Sequence, residues 1–93
     1  MSIDIYPAIV TGKTAEHADD WNDESTMNLA NGNFCHLADQ LGISEMRNSC
    51  TGQMKVKTMR IALQSTYRTK YHDRLNALCA KAEILNATHI AFS

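Results

Sequence analysis

The sequence predicts an α+β fold: one domain over residues 1–93, with a small sheet of about three short strands packed against about three helices. Three observations carry that expectation. β-branched and aromatic residues alternate near the N-terminus, apolar residues recur at helical spacing through the middle, and a short apolar run closes the chain. With strands at both ends and helices between them, the sheet should be covered on one face.

Ile3-Asp4-Ile5-Tyr6 opens the first strand and Ala8-Ile9-Val10 continues it. Pro7 cannot donate a ladder hydrogen bond, so an edge strand or a bulge is expected there. Thr11-Gly12-Lys13 ends the run. Residues 14–24, TAEHADDWNDE, read as an acidic helical turn N-capped by Thr14, with Trp21 as its one large anchor. Ser25 to Leu29 alternates again, placing Met27 and Leu29 on one face of a second strand. Asn31-Gly32-Asn33 then turns the chain, with Asn31 or Asn33 suited to cap a helix. From Phe34 to Leu41 the apolar positions Phe34, Leu37, Ala38 and Leu41 fall on one face, and Gly42 stands where a left-handed residue stops a helix.

Residues 44–52 are mostly polar and read as a loop. From Gln53 to about Asn86 the chain is helical in character, with two apolar stripes: Val56, Met59, Leu63 and Tyr67, then Leu75, Leu78, Cys79, Ala82 and Leu85. The mean direction drifts by roughly 90° between the stripes, more than a straight helix can hold against one small core. Poor helix formers at Thr69–His72 favour a break there, whereas the absence of glycine and proline favours one continuous, curved helix. Thr88 to Phe92 closes the chain as a third strand. The expected core is Phe34, Leu37, Leu41, Val56, Met59, Leu63, Leu75, Leu78 and Leu85.

Charge is distributed unevenly. Residues 1–46 carry eight acids against Lys13 alone, a net charge of −7, and residues 47–93 carry eight bases against Asp73 and Glu83, a net charge of +6. The overall −1 hides a bipolar chain, which either cancels in space or presents an anion-binding surface. No basic leader or run of ~20 apolar residues occurs, so no signal peptide and no membrane contact is expected. Three cysteines suit a reducing cytosol better than a disulfide framework.

Several chemistries fail on spacing. Gly12-Lys13-Thr14 follows a strand, but a phosphate-binding loop needs a glycine where Pro7 stands. Asp20, Asn22 and Glu24 alternate like a calcium loop, yet Ser25 replaces its glycine and Asn31 its bidentate glutamate. The cysteines and histidines form no CxxC or HxxxH pair, and adjacent Cys35 and His36 diverge by ~100° on a helix, unsuited to share a metal or act as nucleophile and base. No catalytic residue, metal or cofactor is therefore expected, and the chain reads as a non-enzyme.

The basic residues after Cys50 are the most usable signal. Lys57, Arg60, Gln64 and Arg68 recur along one flank of the first long helix, with Tyr67 and Tyr71 close by. Guanidinium groups clasp carboxylates or phosphates with paired bonds and tyrosine rings can stack on a base or an adenine-like ring, against the alternative of a solvated helix flank with core tyrosines. Lys57, Arg60, Arg68, Tyr67 and Tyr71 are thus the candidate partner- or ligand-binding residues.

Asn28-Leu29-Ala30-Asn31-Gly32-Asn33-Phe34, followed by Leu37 and Leu41-Gly42-Ile43, resembles small proteins encoded by bacteriophages and prophages, as does the opening Asp4-Ile5-Tyr6 strand. The likeness covers roughly the first half of the chain and carries over no binding or catalytic residue. It implies a small binding protein acting on a host target, such as an inhibitor of a host defence system that occludes a protein or sequesters a nucleotide signal. The expected partner is a host protein or an anionic ligand. The alternative is a nucleic-acid-binding accessory protein that uses the basic helix flank.

Overall fold

The N-terminal alternation becomes the axis of the sheet. In the computed structural model, which describes residues 2–93, strand β1 (Ser2–Thr11) is followed by β2 (Thr14–His17), β3 (Met27–Ala30), helices α1 (Asn31–Leu41) and α2 (Ser44–Asn48), β4 (Gly52–Lys55), α3 (Val56–Ser65), α4 (His72–Ile84) and β5 (His89–Phe92). All pairings are antiparallel in the order β2-β1-β5-β4, and β3 pairs with β1 in line with β2. Among the described residues the architecture is α+β, with five strands where about three were expected and four helices rather than about three.

The two extra strands lie where charge and brevity obscured them. Residues 14–17 belong to no helical turn. Gly12, at φ 62°, closes a tight hairpin that returns Thr14–His17 along β1, pairing Ala8 with His17 and Val10 with Ala15. Residues 44–52 are not all loop, since they hold α2 and the start of β4, whose register sets Met54 against Ile90. The helical run accordingly starts at Val56 rather than Gln53.

Pro7 does not mark an edge. β1 is the most paired strand in the sheet, flanked by β5 on one side and by β2 and β3 on the other. The Pro7 carbonyl accepts the Ala18 N–H at 2.9 Å, so its nitrogen faces the seam where β2 ends and β3 has yet to begin. Only the reciprocal bond to Ala18, just beyond the end of β2, is forgone there, so the proline is tolerated.

Alternation along β1 sorts two faces. Ile3 and Ile5 join Met27, Leu29, Met54, Ile90 and Phe92 beneath the helices, in one core with Phe34, Leu37, Met59, Leu63, Leu75 and Leu78. The Phe34 and Phe92 rings meet at 5.2 Å. Tyr6, Ala8 and Ala91 face the other way, in a separate cluster that holds no helix residue. The expected core is largely in place, except that Val56 only packs against its margin and Leu85 is half-buried. α1 starts from Ala30 without a side-chain cap, so neither Asn31 nor Asn33 plays the expected capping role. Gly42, at φ 67°, ends it, its N–H donating to the Ala38 carbonyl at 3.0 Å.

The long helical run divides in two. Ser65 and Thr66 each turn a hydroxyl back to the carbonyl four residues earlier, at 2.7 Å, and the chain leaves α3. After a six-residue connection α4 begins at His72, so both apolar stripes reach the same sheet.

Candidate functional site

The connection between α3 and α4 is fastened from below by His72, which is buried although polar. Its Nδ1 accepts the Thr69 N–H at 2.9 Å and lies 3.0 Å from the Thr69 hydroxyl, while Nε2 faces the Thr66 hydroxyl at 3.5 Å. With Nδ1 accepting, the proton sits on Nε2. The Thr69 hydroxyl also accepts the Tyr71 N–H at 3.2 Å. Residues 66–71 are therefore a held loop.

Above that loop, three adjoining hollows run between α1 and the α3–α4 connection, all lined in part by Gln40. One, of about 500 Å³, is lined by Gln64, Ser65, Thr66 and Tyr67. Its neighbours reach Arg68 and Thr69, then Lys70 and Tyr71 opposite Asn33 and His36 of α1. The lining is amide, hydroxyl, imidazole and cation, with tyrosine rings between. It suits recognition of an anionic or amide-rich surface.

Tyr67, Arg68 and Tyr71 of the anticipated set line this cleft. Tyr67 is 98% exposed. Tyr71 packs its ring on the core margin, with the Lys70 ammonium 5.2 Å from the ring centroid. Arg68 pairs with Asp73. It is not on a helix flank, because α3 stops three residues earlier. The anticipated continuous stripe of Lys57, Arg60 and Arg68 does not form.

Lys57 lies exposed on the first turn of α3, about 10 Å along the axis from Gln64. Arg60 is engaged inside the fold: it donates to Asn76 Oδ1 at 3.2 Å and pairs with Glu83, tying α3 to α4, and the bond to Glu83 raises its pKa. Arg60→Glu should therefore set a second carboxylate against Glu83 and cost ~1–2 kcal/mol, roughly 4–8 °C of melting temperature per kcal/mol. Lys57→Glu should stay within about half a kcal/mol. Equal melting temperatures for the two variants would contradict the internal role of Arg60.

Gln40, His36, Thr69 and Lys70 completed the cleft without being anticipated, as did His72 beneath it. For these residues the sequence offered only the weak helix formers at 69–72, which mark a break rather than a site. The buried Cys79 thiol, its pKa pushed up to about 11 by desolvation, sits in the core. Among the described residues, no three of His, Cys, Asp or Glu gather as a metal-holding group, and no helix is long and apolar enough to cross a membrane.

A second polar cluster holds the β2–β3 loop. The His17 ring stacks on Tyr6 at 4.9 Å and 9° between planes, its Nδ1 accepts the Asp19 N–H at 3.0 Å, and its Nε2 lies 2.9 Å from the Thr26 hydroxyl. Ser25 donates to Asp19 Oδ2 at 2.6 Å, which holds that carboxyl below its ordinary pKa. Burial lowers the pKa of His17 below 6.5, against the opposing pull of Asp19 and Asp20. A histidine held neutral in the fold contributes stability that is complete above pH 6.5 and lost as pH falls below it. The melting temperature should drop as pH falls through the range just below 6.5, and His17→Phe should flatten that drop. Asp19 titrates below this window. An unchanged slope in the variant would contradict the role given to His17.

Comparison of the chain with protein-family models, with curated proteins and with solved structures finds no match.

Proposed function

We propose that this protein is a binding protein rather than an enzyme, and that it occludes an acidic patch on a target protein through the cleft between α1 and the α3–α4 loop. The observation that carries the reading is Tyr67. It presents a fully exposed aromatic ring on a loop whose backbone is pinned by a buried histidine, so that only the side chain is left to order when a partner arrives. Lys70 stands beside it with no carboxylate partner among the described residues. In the setting that the phage likeness of the first half implies, the target is a host protein, with a defence complex as the class proposed.

The pairing of the arginines favours a protein target over a nucleic acid. Arg47, Arg60 and Arg68 each bind a carboxylate of this same chain, and Arg74 donates to the Thr26 carbonyl at 2.9 Å. A backbone-tracking surface needs a continuous row of free cations, and all four arginines are instead engaged within the fold. Capture from a bacterial lysate with and without nuclease tests the reading. The same protein should be retained in both; retention that disappears with nuclease and falls steeply with salt would replace it with the nucleic-acid reading.

A further inference from the structure

The sheet face opposite the helices carries an aromatic group that the cleft does not use. Tyr6 is buried there, covered by the His17 and Trp21 rings, whose centroids lie 4.9 and 4.6 Å from its own. Trp21 leans edge-on to His17 at 4.5 Å and still leaves 60% of its surface open. Its loop is held at both ends, by the Asp19–His17 and Ser25–Asp19 bonds and by Asn22 Oδ1, which accepts the Glu24 and Ser25 N–H groups at 3.0 Å. The indole is thus exposed and fixed.

Two further features surround it. Asp20, Asp23 and Glu24 are exposed and enter no ion pair among the described residues, whereas Asp19 is matched by Lys81 at 4.0 Å. The acidic half of the bipolar chain therefore remains uncancelled at this loop. Beside it, β2 is a sheet edge. Ala18 bonds back to Pro7, so by alternation the backbone groups of Ala15 and His17 point outward, away from β1.

We propose that this face docks an extended, arginine-bearing segment of a partner protein, its backbone adding to the β2 edge, one guanidinium lying over Trp21 and others facing Asp20, Asp23 and Glu24. Each part fits an element of the surface. Tryptophan is the best face for a cation, a free strand edge takes an extended chain, and opposed charge fixes register and speeds encounter. A compact polyamine would use the charge but not the edge. Trp21 covers Tyr6 on the sheet face away from the helices that frame the cleft, so the two surfaces are distinct.

The test uses a synthetic peptide of alternating arginine and threonine, spermine as a cation without a backbone, and the full chain. Binding is read from the fluorescence of Trp21, the one tryptophan, and from the anisotropy of labelled peptide. The peptide should bind the native chain at least about tenfold more tightly than it binds Asp20→Asn/Asp23→Asn/Glu24→Gln, and likewise for Trp21→Leu. Asp39→Asn/Glu45→Gln/Asp73→Asn, which removes the same charge from the helical side, should bind as the native chain does. Melting temperatures confirm that each variant is folded. Equal weakening by the two triple variants would reduce the effect to diffuse attraction and overturn the proposal. So would peptide binding that is absent, indifferent to Trp21, or matched by spermine.

Discussion

Phe34→Ala is expected to remove ~3–5 kcal/mol from a stability of ~5–15 kcal/mol, leaving a chain marginal at physiological temperature. Phe34 is 1% exposed and meets Phe92 of β5, so it joins the first long helix to the last strand. Its truncation removes apolar burial and leaves a cavity between two elements that cannot both close it. Leu85→Ala provides the comparison, because the same helical periodicity placed Leu85 in the core while the fold leaves it half-buried. It should cost well under half as much. Urea titrations of both variants check this, with an unchanged slope required for the difference to reflect native packing. Equal losses would mean that periodicity, not observed burial, describes the core.

The contrast shows where the sequence was legible. Long amphipathic segments were readable because each buries a repeated stripe: Phe34 to Leu41 gave α1, and Met59, Leu63, Leu75 and Leu78 lie in the core. The end strands were readable because Ile3, Ile5, Ile90 and Phe92 alternate onto one face. β2 was not, because Thr14–His17 carries no large apolar residue and is held by a hairpin whose only local mark is Gly12. β4 was hidden by its brevity and by running directly into α3.

The cleft was partly legible for a similar reason. Tyr67, Arg68 and Tyr71 stood out as residue types, but their grouping depends on His72 closing a loop by side-chain bonds that no periodicity reports. Arg60 was misplaced because helical spacing records that a cation lies on a flank and says nothing of Glu83, 23 residues away, that meets it there. Charge pairing is a tertiary property. So is its failure at residues 20–24, where the sequence showed only an acidic run.

The second large effect concerns binding itself. Tyr67→Ala/Lys70→Glu removes the exposed ring and reverses the unpaired charge of the cleft, yet touches neither the His72 bonds nor the core. Anchors at the centre of an interface commonly carry ~2 kcal/mol or more, and like charge against an acidic target adds to that loss. Lys57→Glu, on the first turn of α3, is the matched surface change. The decisive measurement is paired: thermal unfolding, and capture of the lysate protein retained by the native chain after nuclease treatment. The double variant should melt within a few degrees of the native chain and retain the target at least about tenfold less well, while Lys57→Glu captures normally. Full capture by a folded Tyr67→Ala/Lys70→Glu variant would contradict the placement of the binding surface at this cleft.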